Sequence, residues 1–405
     1  MGVEEVLREE LAKQTVFANR DFLSPSYIPS HMPFREGQLE KVTRTLAPAL
    51  KGKKPNNIFL YGKTGTGKSS VARSVADKIL EYSKREHSVV FRAYMNCKSS
   101  HNTKYQILAN IAQELNPDER LQGFAVSYLY NKIKASVSQS GAQLIVILDE
   151  VDRIKDLDDT IYTLTRMNDE LEQGALTVVG ISNKLDFKEE LDVRTKSTLC
   201  QEEHIFPPYN AEELTQILRE RVGMGFKEGA VSEGAINLAA ARAAQESGDA
   251  RKALMLISRA GDIADEHSKN QVTEGEVETA QSRVEEDLIL GMVESLPRQQ
   301  QFLLYAVLLL TVSNKGVRRL GGEQEKGQLF SGEVYDKYCE VCKGFGKKPS
   351  TDRWYREQLR ELATYGLIEA RASGPGIRGN TQLVSLNADS AKMKLVLERK
   401  LGAIE

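Results

Sequence analysis

The first half of the chain alternates short apolar, β-branched runs with longer stretches whose apolar residues recur every three or four positions. Ile58–Tyr61, Val89–Asn96, Leu144–Leu148, Ala175–Ile181 and His204–Phe206 read as strands. Apolar residues at successive rather than alternate positions predict strands buried on both faces, hence a parallel sheet between helical layers. Helical spacing over Ser69–Tyr82, Lys104–Leu115 and Ser127–Ser138 supplies those layers. The two prolines of FPPYN (Phe206–Asn210) end the region, because proline lacks the N–H that a sheet ladder needs.

From Asn210 the pattern is helical only. Asn210 with Glu213, Ser232, and Thr273 with Glu276 are start signals whose side chains satisfy the first free N–H groups of a helix. This second region is expected to run to about Glu285. Beyond Leu288, Phe302–Val312 is an apolar run of eleven residues, too short to span a bilayer and therefore a buried helix. Ser350 or Thr351 caps a further helix with Tyr355, Leu359 and Leu362 on one face. Arg353, Arg356 and Arg360 form a separate basic stripe, and Gly366 stops the helix. EARASGPGIRGNTQLVSL (Glu369–Leu386) then reads as two strands joined by a Gly/Pro loop, with Arg371 and Arg378 on the hairpin. Helix, stop, strand, loop and strand describe a winged helix. The expected division is 1–209, 210–285, 286–390, and a helical tail over 391–405.

A formal net charge of −2 over 405 residues excludes a globally basic nucleic-acid binder, so any such contact must be local. One region qualifies: Lys315–Ser385 carries 13 basic and 9 acidic residues. Its arginine helix fits a major groove, with the wing on phosphates or in the minor groove and Lys347 and Lys348 at the entrance. Winged helices also mediate protein contacts, and Glu357 and Glu361 dilute the stripe. Four cysteines (Cys97, Cys200, Cys339, Cys342) include one CxxC without a second ligand pair, which favours reduced thiols over a structural zinc. The N-terminal MGVEEVLREELAK has no signal-peptide core, consistent with a cytoplasmic protein.

The strongest chemical signal is GKTGTGKSS, which places Gly62, Lys63, Thr64, Gly65, Thr66, Gly67, Lys68, Ser69 and Ser70 directly after a strand. Glycines let backbone N–H groups close on phosphate oxygens, and the following helix adds its positive end. Lys68 would neutralise the β- and γ-phosphates of ATP, or the β-phosphate of ADP, and the Ser69 hydroxyl would ligate Mg²⁺. LIVILDEVD supplies Asp149 to hold Mg²⁺ and Glu150 to polarise the attacking water, although an acidic pair after a strand is also what a solvated turn looks like. Asn183, at the end of VVGISN, is placed to orient that water. Arg251 and Lys252 occupy the first turn of a helix, where cations oppose the dipole unless an anion lies nearby.

In this order the phosphate loop, LDEVD, GISN and GDARKAL resemble an AAA+ ATPase, and more narrowly the archaeal replication initiators related to the eukaryotic origin recognition complex and its licensing partner. FLSPSYIPSHMPFREGQLEKV, LDVRTKSTL and FPPYNAEEL extend the resemblance over about Phe17–Leu386. It implies an AAA+ parallel-sheet base, a helical lid and a C-terminal winged helix. Tyr209 and Arg221 would meet the nucleotide where base and lid join, Arg251 would be the lid's arginine sensor, and Arg194 the finger reaching a neighbouring copy. Gly123 and Phe124 fall in the family's extra helical piece, where they would touch DNA, although Phe124 could equally pack into the core. The implied partners are duplex origin DNA, the replicative helicase and other initiator copies. A clamp-loader-like motor and a nucleotide-switched DNA-binding regulator stay open as alternatives.

Overall fold

The computed structural model describes residues 15–98, 101–184, 191–193, 195–196, 201–313, 316–318, 324–326, 328–372, 382–387 and 390–402. The chain forms two compact units, Met1–Glu278 and Thr279–Glu405. Among the described residues no helix is long and apolar enough to cross a membrane.

The first unit is built on β1 (Asn57–Tyr61), β2 (Val90–Asn96), β3 (Gln143–Asp149), β4 (Ala175–Ser182) and β5 (Gln201–Ile205). They form one parallel sheet in the order β2-β3-β4-β1-β5. Leu144, Val146 and Leu148 of β3 enter one apolar core while Ile145 and Ile147 enter the other. That two-sided burial is the physical content of the continuous apolar runs. Truncating one such residue, as in Ile147→Ala, is expected to cost about 2–5 kcal/mol.

Helices α1 (Glu36–Leu46) and α2 (Lys68–Arg85) cover the Ile145/Ile147 face. Helices α3 (Lys104–Leu115), α4 (Val126–Ser140) and α5 (Leu157–Arg166) cover the other. The three helices expected between the phosphate loop and Asp149 are therefore present, with α3 and α4 inserted between β2 and β3. The fifth strand is a correction. It occupies Gln201–Ile205 rather than His204–Phe206, because among the described residues it is a sheet edge paired with β1 alone and can carry polar Gln-Glu-Glu-His.

Four lid helices follow: α6 (Ala211–Gly225), α7 (Glu233–Glu246), α8 (Ala250–Glu266) and α9 (Glu274–Ser295). Asn210 and Glu213 form the reciprocal capping box, and Ser232 accepts from the Ala235 N–H. At Thr273 the Glu276 carboxylate accepts both the backbone N–H (2.8 Å) and the hydroxyl (2.7 Å). α9 continues past the expected boundary at Glu285, and the division between the two units falls inside it.

The second unit centres on α10 (Arg298–Val312), the expected buried helix. β6 (Gly316–Arg318) and β7 (Gln324–Lys326) pair with each other, antiparallel. β8 (Leu329–Phe330), α11 (Ser331–Gly344), α12 (Asp352–Thr364), β9 (Ile368–Ala372), β10 (Gln382–Leu386) and α13 (Ser390–Leu401) complete it. The sheet order is β8-β10-β9, with β9 and β10 antiparallel as a wing. Thr351 is the cap of α12, and Gly366 adopts φ 72° just beyond its end. The segment set apart as a tail is integral to this unit: Met393, Leu397 and Leu401 lie in its core.

Candidate functional site

The phosphate loop joins β1 to α2, and its backbone is shaped for an anion. Gly65 and Gly67 sit at φ 68° and 90°, and Gly67 caps α2 without a side-chain partner for the first N–H groups. Lys68 is buried, and its ammonium donates to the carbonyls of Gly62 (2.7 Å) and Lys63 (2.7 Å) and to Asn183 Oδ1 (3.0 Å). Burial pulls its pKa down to about 8, against the raising influence of the Asp149 carboxylate. Thr66 is fully buried and donates to the Lys63 carbonyl, while Ser69 and Ser70 face the cleft.

β3 delivers Asp149, 7% exposed, beside the loop. Its Oδ1 accepts the Glu150 N–H at 3.0 Å and its Oδ2 accepts the Tyr94 hydroxyl at 2.8 Å. Glu150 has φ 55°, a left-handed conformation that costs a side-chain-bearing residue about 1–3 kcal/mol and is concentrated at working sites. Asn183 extends from the end of β4 and spends its oxygen on Lys68.

The lid closes the other side. Asp149, Glu150, Asn183, Tyr209, Arg221 and Arg251 all line one cleft of about 300 Å³, whose rim is the segment 24–33. That volume lies at the lower end of the range for cofactor sites, roughly 300–1,000 Å³. Tyr27, Ile28 and Met32 line that cleft together with Ile217 and Leu254 of the lid, an apolar set suited to a base. Asp249 caps α8 through the Arg251 N–H (2.8 Å) and presses on the phosphate loop, where a Cβ on Gly65 would lie 1.5 Å from its Oδ1. Arg251 is half-exposed, and its guanidinium makes two long 3.5 Å contacts to Asp249, from Nε to Oδ1 and from Nη2 to Oδ2, which leaves its charge beside the cleft that it lines. Arg221 is buried, stacks over Tyr27 and donates to the Phe22 and Ser24 carbonyls, which pins the rim to α6. Arg194 lies outside the described residues.

Arg35 was not legible as part of this site. It is 2% exposed and donates to the carbonyls of Phe34 (2.7 Å), Thr66 (2.8 Å) and Pro207 (2.6 Å). Its guanidinium lies 3.8 Å from the Tyr209 ring centroid, and burial lowers its pKa. Arg35 lies inside the segment FLSPSYIPSHMPFREGQLEKV that carries the resemblance, but by its local pattern a lone arginine ahead of a helix reads as solvated. Tyr94 and Arg73 also line the cleft: Tyr94 reads as one more position of a strand and Arg73 as a solvated helix cation.

In the second unit Arg353, Arg356, Arg360, Arg371, Lys347 and Lys348 are all exposed. Arg356 is paired with Asp352 at 2.8 Å, leaving Arg353 and Arg360 as the cations of α12 without an ion pair among the described residues. Arg378 lies outside the described residues. In the first unit Phe124 is 42% exposed rather than core, and it stacks on Tyr128 at 4.4 Å between centroids. Gly123, at φ 90°, donates its N–H to the Tyr105 hydroxyl.

Comparison with known proteins matches each part of the chain. An AAA domain family covers residues 51–186, a Cdc6 AAA+ ATPase-type lid domain covers 215–282, and a CDC6 C-terminal winged helix domain covers 291–396. The ORC1-type DNA replication protein of Pyrococcus furiosus is 37% identical, over 98% of this chain and 93% of its own length. The ORC1-type DNA replication protein 1 of Archaeoglobus fulgidus is also 37% identical, over 96% and 92%. The structure of the Aeropyrum pernix ORC1 protein in complex with DNA superposes with a TM-score of 0.71 at 32% identity, covering 96% of this chain and 98% of that one. With identity at this level along nearly its whole length, the chain belongs to the ORC1-type/Cdc6 replication initiators, AAA+ ATPases with a C-terminal winged helix.

Proposed function

We propose that this chain is an ATP-dependent initiator that grips duplex origin DNA with its winged helix and the α3–α4 insertion, and helps load the replicative helicase. The observation that carries the reading is the combination, in one chain, of a lid-closed phosphate site with a separate helix presenting outward arginines. A helix with Arg353 and Arg360 outward and Leu359 and Leu362 in the core can enter a major groove without unfolding its own unit. That a relative has been solved in complex with DNA supports nucleic acid over a protein partner. Work on the chromosome puts the protein in the cytoplasm, at the nucleoid.

At the nucleotide site, Lys68 and the uncapped start of α2 would hold the β- and γ-phosphates of ATP, or the β-phosphate of ADP. Tyr209 and the pinned rim beside Arg221 would enclose the base and ribose. Ser69 and Asp149 would hold Mg²⁺, and a single carboxylate with a hydroxyl suits an ion that keeps most of its waters. Bound there, Mg²⁺ supplies charge neutralisation at the phosphates. Glu150 accepts a proton from the attacking water at its carboxylate, and Asn183 orients that water once Lys68 turns to phosphate. Arg251 reads the γ-phosphate from the lid, and Arg194 reaches the site of a neighbouring copy, which makes hydrolysis by a lone molecule slow.

The test is salt-dependent binding of the full chain to duplexes from its own genome's intergenic regions, with and without ATP. Arg353→Ala with Arg360→Ala should lower the slope of log affinity against log salt by about 2, at roughly 0.9 per lost phosphate contact. Unchanged DNA binding by this pair would overturn the reading.

A further inference from the structure

We propose that Tyr94 is the positioning residue that aims the Asp149 carboxylate at its divalent cation, with Arg73 as its electrostatic partner. The inference rests on the reading of Asp149 and Ser69 as the ligands of that cation. Asp149 is held at both oxygens: Oδ1 by the Glu150 N–H and Oδ2 by the Tyr94 hydroxyl at 2.8 Å. Two donors on one carboxylate fix its plane and leave each oxygen with a free lone pair beside the cleft that Asp149 and Ser69 both line. Tyr94 comes from the neighbouring strand β2, two positions before Asn96, the register partner of Asp149, and so stands on the same face as Asn96.

Packing alone would be served by phenylalanine. The hydroxyl is what reaches Asp149, donating to its Oδ2. Arg73 lies four residues after Ser69 and therefore on the same side of α2. Its guanidinium sits 4.9 Å from the Tyr94 ring centroid, with no ion pair or hydrogen bond of its own among the described residues. A cation over the ring draws electron density from the phenol and strengthens the O–H as a donor. Ligand-orienting hydrogen bonds of this kind are typically worth about 10–100-fold in metal affinity.

The experiment measures affinity of the full chain for a fluorescent ATP analogue in MgCl₂ and in EDTA, and takes the ratio. In Tyr94→Phe the ratio should fall about tenfold, at the lower end of the usual range for such contacts. Arg73→Gln should lower it less, and the double variant no more than Tyr94→Phe alone. In an Asp149→Asn background Tyr94→Phe should have no further effect. A wild-type ratio well above one that Tyr94→Phe leaves unmoved sinks this inference alone. A wild-type ratio of one removes the ligand reading of Ser69 and Asp149, and this inference with it.

Discussion

Arg35 offers the sharpest test of how the nucleotide-binding unit is held together. Arg35→Met keeps much of the apolar stem and deletes every donor. The carbonyls of Thr66 and Pro207 then lose a charged partner in a buried setting, at about 1–3 kcal/mol each. The lost stacking on Tyr209 adds about 1 kcal/mol. Against this, the wild-type protein buries a guanidinium that has no carboxylate in ion-pair contact among the described residues, and relief of that desolvation returns about 2 kcal/mol. The net expectation is a loss of about 3 kcal/mol confined to the first unit. The assay is urea unfolding followed by two signals. Far-UV circular dichroism sees both units, whereas the single tryptophan, Trp354, reports only the second. The dichroism transition should split and its first phase move to lower urea, while the Trp354 transition stays in place. Arg35→Lys keeps the charge but cannot span three carbonyls at once, so it should recover less than half of the loss. A loss below about 1 kcal/mol in Arg35→Met, the size of an ordinary substitution, would refute the account. So would an equal shift in both signals.

Lys68 makes nucleotide affinity pH-dependent. Its ammonium titrates near 8 in the free protein, and polyphosphate raises that value, so affinity is flat below pH 8 and falls above it by up to about tenfold per pH unit. Titrations of a fluorescent nucleotide in EDTA across this range check the inflection, which Lys68→Arg should abolish. Gly65→Ala should lower nucleotide affinity at least tenfold, by roughly the strain of a left-handed alanine, because its methyl would also displace Asp249 from the loop; a near-wild-type dissociation constant would count against the docked lid. Phe124→Ala should weaken duplex binding in a gel-shift titration while changing folding stability by less than about 0.5 kcal/mol, since the ring is surface-exposed.

Much of the architecture was legible because its causes are local. The phosphate loop needs only a strand, two glycines in left-handed conformation and a following helix, all within Asn57–Arg85. The caps at Asn210, Ser232, Asp249 and Thr351 act within three residues. The buried face of α12 follows from its period. The fifth strand was misplaced because an edge strand need not be apolar, and the placement of α13 in the winged-helix core could not be read from its own weak amphipathic pattern.

The amino-acid order by itself determined the chemistry: which residues can hold phosphate, which carboxylates follow a buried strand, and which arginines share a helix face. Only the tertiary structure decided which groups those residues meet. Arg35 and Pro207 are 172 positions apart, and Tyr94 and Asp149 are 55 apart on neighbouring strands. Such contacts depend on strand order and on how the chain returns across the sheet, and no short-range pattern encodes either. The exposure of Phe124 was settled in the same way, by what the rest of the fold leaves uncovered.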